Sequence, residues 1–201
     1  MSIRAVKNVI QAQPHVEGPF DGPTVLFPGV PRAHKGLELL ADAVARIPGA
    51  RLAVTCRPED LAGPRWARLP ITRVSMVPYP SAPALYAAAD VIAVPQLDDE
   101  AAHHQMPLKA VDAMAMGRPI VASAVSDLPE VLEGCGRLVP AGDADALAAA
   151  INELLDDEAQ AGELGDRARA RCLERYSYER VGEQLAEIVG SVGRSTAVVG
   201  S

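Results

Sequence analysis

The sequence is poor in aromatic residues and cysteines, and it contains no long apolar run. Only 3% of the 201 residues are Phe, Trp or Tyr, which argues against a stacking platform for single-stranded nucleic acid. The cysteines, Cys56, Cys135 and Cys172, form neither a CxxC pair nor a zinc spacing, so we expect reduced thiols in a cytoplasmic protein. No stretch approaches the roughly 18–20 apolar residues that span a bilayer, and the N-terminus lacks the apolar region of a signal peptide.

Positive charge is also in short supply, because the formal net charge is −7 at pH 7. This balance argues against a general nucleic-acid or anionic-membrane surface, although helix ends and a few cations still allow local phosphate binding. The chain has neither a GxGxxG after its first predicted strand nor a GxxxxGKS/T motif. The dinucleotide-binding and P-loop classes therefore lose their main support.

Strand-like and helix-like segments alternate from residue 24 onwards, within a chain long enough for one domain with a sizeable core. The alternation predicts an α/β fold, a doubly wound Rossmann-like parallel sheet of about six strands with helices on both faces. We expect residues 1–23 to be a linker-like lead-in, residues 24–190 to form the domain and residues 191–201 to be a flexible tail. The predicted strands are Thr24–Val30, Arg51–Thr55, Ile71–Val77, Asp90–Pro95, Pro119–Ser123 and Arg137–Pro140.

The segment from Met106 to Ser123, MPLKAVDAMAMGRPIVAS, is the most informative part of the chain. Pro107 suits the first turn of a helix, and Gly117 suits the left-handed position just past its end. Lys109 and Asp112 are three residues apart, so they share a helical face near the positive N-terminus. Such a face fits an anionic, hydroxylated ligand, a nucleotide diphosphate with its ribose. The alternative is a solvated Lys/Asp pair on an ordinary helix.

A second group of cations follows the first predicted strand, in the loop FPGVPRAHKG. Gly29 and Gly36 give this loop backbone freedom, and Lys35 stands at the start of the next predicted helix. Arg32 lies on the same loop and is positioned to add a bidentate phosphate contact. Two solvated surface cations are the alternative. Because Lys109 is a similarly placed cation after another strand, the pair favours a diphosphate site at the carboxyl ends of the strands.

A polar segment precedes the Met106–Ser123 stretch. Asp98, Asp99 and Glu100 come shortly before His103 and His104. A metal site is conceivable here, but the adjacent histidines have no recognisable ligand spacing, so we expect no metal. We expect instead a polar loop at the mouth of a pocket, with one histidine facing the ligand.

The order of these features resembles the C-terminal, donor-binding domain of the GT-B fold, retaining, nucleotide-sugar-dependent glycosyltransferases. Gly29 and Lys35–Gly36 keep the spacing of the loop that follows the first strand in that family. Ala89–Pro95 is similar to its "aD+hhhhPS" strand, and His104–Ser123 is similar to its "ExFGxxxxEAMAxGxPVVAS" motif. Pro107–Ser123 closely follows the pattern "PxKxxEYMAxGxPVVAS" of a related branch. The resemblance covers about residues 24–190.

The resemblance implies roles for individual residues. Lys35 would contact the donor diphosphate, and Asp112 would hold the ribose hydroxyls. Lys109 and the helix start formed by Met106, Pro107 and Leu108 would face the phosphates. His104 stands where the family has the glutamate that contacts the transferred sugar, and the resemblance implies a catalytic role for His104, Lys35 and Lys109.

Two positions depart from the family pattern in the diphosphate loop region. Val30 stands where the family has an arginine, and Arg32 is the candidate substitute. Thr55-Cys56-Arg57-Pro58 replaces the usual glycine-rich turn after the second strand, and Arg57 is a third candidate cation. The donor-binding set implied by the resemblance is therefore Gly29, Arg32, Lys35, Arg57, His104, Met106, Pro107, Leu108, Lys109 and Asp112.

The resemblance implies a transferase domain that moves a hexose from a nucleotide diphosphate sugar to an acceptor hydroxyl. It would act with an N-terminal acceptor domain or partner subunit, without cofactor, nucleic acid or an integral membrane segment. A cytoplasmic location is expected, with a membrane-peripheral one open for the full enzyme. The alternative is a non-catalytic nucleotide-sugar-binding or interaction module with a degenerate donor site, which His104 and Val30 favour. An unrelated α/β isomerase would need a catalytic constellation that the sequence does not present.

Overall fold

The computed structural model describes residue 20, residues 22–103 and residues 106–196, with side chains up to residue 189. The strands are β1 (Thr24–Phe27), β2 (Arg51–Thr55), β3 (Ile71–Val74), β4 (Val91–Val94), β5 (Ile120–Ser123) and β6 (Arg137–Val139). The helices are α1 (Leu37–Val44), α2 (Ala82–Ala87), α3 (Glu100–His103), α4 (Leu108–Ala115), α5 (Leu128–Val131), α6 (Ala144–Asp156), α7 (Glu158–Tyr176) and α8 (Tyr178–Thr196).

The strands form one parallel sheet in the order β3-β2-β1-β4-β5-β6. In β1, Val25 lies opposite Leu52 of β2 on one side and Val91 of β4 on the other. The direction of winding reverses between β1 and β4, which is the switch point where ligands bind in doubly wound sheets. The predicted six-stranded, doubly wound Rossmann-like sheet is confirmed.

Helices cover both faces of the sheet, so successive residues of a strand enter different cores. In β1, Val25 and Phe27 pack with α1 and α6, whereas Leu26 packs with α2 and α4. All four residues of β1, β4 and β5 are buried. Strands buried on both faces read as continuous apolar runs, which is why the sequence showed them clearly.

The predicted boundaries differ from the structure mainly at the ends of elements. β1 ends at Phe27 because Pro28 cannot donate to a neighbouring strand. The helix predicted to begin at Lys35 is preceded by a 3-10 turn, Ala33–Lys35, and its α-helical part begins at Leu37. Asp143 caps α6 as its position suggests, since its carboxylate accepts from the Ala146 N–H at 2.9 Å.

The helical C-terminus is longer than the sequence indicates. α8 continues to Thr196, six residues into the predicted tail. Single glycines such as Gly190 and Gly193 cost a helix only about 1 kcal/mol each relative to Ala, which is too little to end it. The predicted lead-in lies mostly outside the described residues. Within the part of the chain that is described, none of the helices combines the length and apolar character that crossing a bilayer requires.

α7 packs directly on the turn that ends α4. Gly117 closes α4 with a left-handed φ of 63°, as its position in the sequence suggests. A Cβ built on Gly165 of α7 would lie 2.2 Å from the Gly117 carbonyl oxygen. The two backbones touch only because residue 165 has no side chain, and this contact fixes α4 against the rest of the domain.

Replacing Gly165 with alanine is predicted to lower the free energy of unfolding by at least about 1–3 kcal/mol, the usual cost of overpacking. Gly162 lies in the same helix, and a Cβ there would meet nothing within 4 Å. Gly162→Ala is therefore the matched control and is predicted to stabilise the protein by up to about 1 kcal/mol through helix propensity. Urea denaturation of the three proteins measures both effects. Equal effects of the two substitutions would contradict the close α7 contact.

Candidate anion-binding site

Two loops meet at the switch point, one after β1 and one after β4. The Leu97 N–H donates to the His34 carbonyl at 2.9 Å, which ties the loops together. Gly36 has a φ of 66°, and a Cβ there would lie 1.9 Å from the Pro95 carbonyl oxygen. Only glycine satisfies both conditions, so Gly36 holds the start of α1 against the end of β4. The backbone freedom that the sequence predicts at Gly36 therefore allows the loop to approach the Pro95 carbonyl closely.

Lys109 is the central cation of the site. Its Nζ is buried and has no hydrogen-bond acceptor among the described residues. The ammonium lies 4.8 Å from the centroid of the Phe27 ring, at the carboxyl end of β1. Burial, together with repulsion from the Lys35 ammonium, lowers the pKa of Lys109 to about 7. Where the sequence predicts a phosphate, the structure thus holds a lysine that has no counter-ion in the described part of the chain.

Lys35 lies close enough to Lys109 for the two charges to repel each other. Its Nζ donates to the Val30 carbonyl at 3.1 Å, so the loop itself holds the side chain in place. Burial, and then repulsion from Arg32, lower the pKa of Lys35. Arg32 is exposed at the rim of this group. The structure therefore brings together three of the predicted cations: Arg32, Lys35 and Lys109.

The start of α4 lies beside these cations. Met106 is half-buried, Pro107 is buried, and Leu108 is 59% exposed. Pro107 is the N-cap and Leu108 is the first helical residue. The first N–H groups of a helix have no partner within it, so this end of α4 adds positive potential.

Asp112 does not pair with Lys109, although the two residues share one helix. Its carboxylate accepts a hydrogen bond from the Tyr79 hydroxyl at 2.8 Å. Burial raises the pKa of Asp112, and the Tyr79 hydrogen bond partly offsets this effect. The Lys109 side chain instead lies over Phe27. The site thus has a cationic region and a separate acidic region on α4.

Arg57 is held in an ion pair with acids of its own turn. Its guanidinium is exposed and donates to the Asp60 carboxylate at 3.1 Å, with Glu59 at 3.4 Å. The turn from Pro58 to Leu61 places these acids beside it.

Gly29 lies in the loop after β1, and its N–H donates to the Thr55 Oγ1 at the end of β2.

His104 lies outside the described residues, so its predicted sugar contact stays a prediction. His103 is described, and its Nε2 lies 2.7 Å from the exposed Asp98 carboxylate. Among the residues that the structure describes, no cluster of three or more His, Cys, Asp or Glu side chains is arranged to hold a metal.

Sequence reasoning missed several polar groups at the carboxyl edge of the sheet. Tyr79 stands in a 3-10 turn after β3, where the sequence showed only the strand-ending segment VPYP. The His34 Nε2, the Gln96 Oε1 and the Ser123 Oγ are buried without a hydrogen-bond partner in the described structure. Gln96 closely follows β4 and Ser123 ends β5. These positions were the available signal, because strand ends line the crevice of a parallel sheet.

A depression of about 690 Å³ lies at the opposite end of the strands, where β1, β4 and β5 begin. It is bordered by Thr24, Asp90 and Arg118. Asp90 accepts from the Thr24 N–H at 2.7 Å, and Arg118 donates to the Ala89 carbonyl at 3.3 Å. These contacts link strand starts to one another, and none of the predicted donor-binding residues borders this depression.

The fold and the site together define a Rossmann-like α/β domain with a cationic cluster at its switch point. The sequence model of the family "Glycosyl transferases group 1" matches residues 22–157. The chain therefore belongs to that family, which confirms the resemblance to GT-B fold glycosyltransferases.

Relatives and solved structures agree with this assignment. The D-inositol 3-phosphate glycosyltransferase of Mycobacterium marinum is 35% identical over 86% of this chain and 39% of its own length. Sucrose-phosphate synthase from Thermosynechococcus elongatus has a TM-score of 0.74 and 31% identity, with 87% of this chain and 46% of that chain covered. Anabaena HepE in complex with UDP-glucose has a TM-score of 0.72 and 23% identity, with coverage of 85% and 49%. This chain spans less than half the length of each of these proteins.

The lowered pKa of Lys109 predicts a pH dependence of stability. Lys109 is harder to protonate in the folded protein than in the unfolded chain, and this difference lowers the free energy of unfolding. The destabilisation is complete below about pH 7 and fades as pH rises toward 10.5. Lys109→Met removes the ammonium and keeps an unbranched side chain that is one atom shorter. The variant is predicted to be more stable than the parent at pH 7, with the difference shrinking by up to about 1.4 kcal/mol per pH unit above that.

Urea denaturation of both proteins between pH 6.5 and 10 measures this difference. Arg46→Met is the control for a lost surface cation, since Arg46 is half-exposed and pairs with Asp145. A difference between Lys109→Met and the parent that does not vary with pH would contradict the buried ammonium.

Proposed function

We propose that this chain binds a nucleotide diphosphate sugar and forms the donor-binding half of a retaining glycosyltransferase. The observation that carries the proposal is the Lys109 ammonium, which lies beside Lys35 at the switch point and is buried with no acceptor among the described residues. A buried charge without a partner is costly, and a diphosphate supplies the missing anion. Membership of the glycosyl transferases group 1 family supports a sugar donor. The UDP-glucose bound to HepE, a protein of the same fold, supports the nucleotide part.

In the proposed complex, the diphosphate lies between the two lysines and the amino end of α4. Lys35 and Lys109 neutralise its charge, Arg32 closes the rim, and the free N–H groups after Pro107 donate to phosphate oxygens. The ribose lies farther along α4, where Asp112 accepts from its hydroxyls. His104 is the proposed contact of the transferred sugar.

The proposed reaction breaks the bond between the anomeric carbon of the sugar and the β-phosphate oxygen. The acceptor oxygen forms the new bond to that carbon, its proton passes to the departing phosphate oxygen, and the nucleotide diphosphate leaves. Charge grows on the leaving phosphate during this step, so prearranged cations lower the barrier by stabilising that charge. Protein groups supply these charges, and we propose that donor binding needs no metal.

We further infer that the chain works with an amino-terminal half, which would correspond to the part of its longer relatives that this chain does not match. The M. marinum relative has more than half of its length outside the matched part. On α8, Val181, Leu185, Ile188 and Val189 recur at helical spacing, and their exposed fractions run from 37% to 70%. An exposed apolar stripe of this kind is typical of an interface. We propose that the amino-terminal half covers it.

The proposed location is the cytoplasm. The three cysteines are buried free thiols, which suits a reducing compartment.

Removing either lysine is predicted to weaken nucleotide binding. UDP, GDP and ADP are titrated calorimetrically with EDTA present, and at least one is expected to bind the parent chain. Lys35→Ala and Lys109→Ala are each expected to reduce its affinity by about 10-fold or more, since hydrogen bonds to charged groups contribute about 1.5–3 kcal/mol. Arg46→Ala is the control and is expected to bind like the parent. Absence of binding by all three nucleotides at millimolar concentration would refute the proposal.

Binding is also predicted to take up protons. A diphosphate next to Lys109 raises its pKa from about 7, so above pH 7 the complex gains a proton that the free protein lacks. The calorimetric enthalpy at pH 8 should therefore depend on the ionisation enthalpy of the buffer. In Lys109→Met this buffer dependence should be lost or strongly reduced. Proton release on binding to the parent would contradict the proposed contact.

The α8 stripe gives a separate test of the amino-terminal half. Leu185→Glu with Val189→Glu should change the stability of this chain by less than about 0.5 kcal/mol, because exposed positions tolerate substitution. In a chimera with this chain placed behind the amino-terminal half of the M. marinum relative, the same pair should lower the melting temperature. An unchanged chimera would argue against the interface.

Sugar transfer by that chimera separates the catalytic proposal from the non-catalytic alternative. Release of nucleotide diphosphate with transfer to an acceptor supports the enzyme. Nucleotide-sugar binding without transfer favours a binding module, consistent with Val30 at the position of the family arginine.

A further inference from the structure

Tyr79 makes a contact that the proposed donor site does not yet account for. It lies in the 3-10 turn Tyr79–Ser81, between β3 and α2, and reaches α4 from there. Its hydroxyl donates to the Asp112 Oδ1 at 2.8 Å. The ring packs against the core beneath α4, together with residues such as Tyr176. A side chain held by packing at one end and by a hydrogen bond at the other has a fixed position.

The electrostatics make Tyr79 a permanent donor. Burial and the nearby Asp112 carboxylate raise the pKa of Tyr79 well above its ordinary value. The phenol therefore stays protonated throughout the physiological range. The hydroxyl is therefore the donor in its hydrogen bond with Asp112, and the Asp112 carboxylate is the acceptor. The hydrogen bond opposes the rise that burial causes in the pKa of Asp112.

The geometry of a carboxylate explains what this contact does for ligand binding. An ionised carboxylate has about four acceptor positions on two oxygens. The Tyr79 hydroxyl occupies one position on Oδ1, which restricts rotation of the carboxylate. It leaves the other acceptor positions, including those on Oδ2, without a hydrogen-bond donor from the side chains that the structure describes. A ribose offers two neighbouring hydroxyl donors. An aspartate side chain is short and has little reach, so its orientation decides whether it contacts the ribose hydroxyls.

We propose that Tyr79 is a positioning residue for ribose recognition, because its hydroxyl orients the Asp112 carboxylate as the acceptor of the ribose hydroxyls. This inference rests on the proposed nucleotide binding and adds a specificity-determining residue to it. Tyr79 touches Asp112 and acts through it. Its effect should therefore appear in the discrimination between ribose and 2′-deoxyribose rather than in phosphate affinity.

The test compares Tyr79→Phe with the parent chain by calorimetric titration of UDP, GDP and ADP and their 2′-deoxy analogues dUDP, dGDP and dADP. The parent should prefer the ribonucleotide by about 10-fold, the loss expected when a hydrogen bond to a charged group is removed. In Tyr79→Phe this preference should fall at least about 3-fold, while affinity for the deoxy analogue changes by less than about 2-fold. Tyr176→Phe is the matched control, because it removes a hydroxyl from a ring on the same core, and it should keep the parent preference.

Asp112→Ala and the double variant complete the cycle. Alanine leaves no acceptor for the Tyr79 hydroxyl to orient. If Tyr79 acts through Asp112, adding Tyr79→Phe to Asp112→Ala should therefore change the ribose preference no further. Melting curves verify that the ring-preserving Tyr79→Phe variant is folded.

Each result has a distinct meaning. A parent-like ribose preference in Tyr79→Phe, or additive losses in the double variant, would overturn the role of Tyr79 and leave the proposed nucleotide binding intact. If none of the nucleotides binds the parent, the proposed function fails and this inference fails with it. Equal losses for ribo- and deoxynucleotides in Tyr79→Phe would assign Tyr79 a merely structural role.

Discussion

One buried charge without a counter-ion dominates this domain. The Lys109 ammonium lies over the Phe27 ring and has no hydrogen-bond acceptor among the described residues, with Lys35 close enough to repel it. An isolated cation in such a place is expensive, and its lowered pKa expresses that cost. Folding tolerates it because the ammonium belongs to a helix that is fixed on several sides. The close contact of Gly165 with Gly117 holds one end of α4, and the buried Pro107 holds the other.

The rest of the site follows from where that charge is placed. The loops after β1 and β4 meet at the switch point because Gly36 allows the start of α1 to touch the Pro95 carbonyl. This arrangement brings Lys35 toward Lys109 and leaves Asp112 on the side of α4 that faces Tyr79. The cationic and acidic regions are separate, so they neither neutralise nor block each other. A protein with a net charge of −7 thereby keeps a locally positive crevice.

The sequence was sufficient for the fold, because apolar strands buried on both faces alternate with amphipathic helices and give an unambiguous pattern. It was also sufficient to identify Lys35 and Lys109 as neighbours, since both follow strands that flank the switch point. It was insufficient for partner choice. Spacing on α4 placed Lys109 and Asp112 on one helical face, but it did not indicate that each side chain contacts a different partner from a distant segment. Arg57 stays a candidate cation, and the sequence pattern did not indicate that its own turn supplies Asp60 as a partner. Tyr79 was missed because its contact with Asp112 spans 33 residues of sequence.

The most direct test of the central claim is the titration of Lys109 itself. The chain contains three lysines, Lys7, Lys35 and Lys109, so ¹³Cε-lysine labelling gives few resonances, which Lys109→Met assigns. We predict that the Lys109 signal titrates near pH 7 in the free protein and moves to a clearly higher pKa when a nucleotide diphosphate is added. A Lys109 signal that titrates near 10.5 in the free protein, or whose pKa is unchanged by saturating nucleotide diphosphate, would contradict the account.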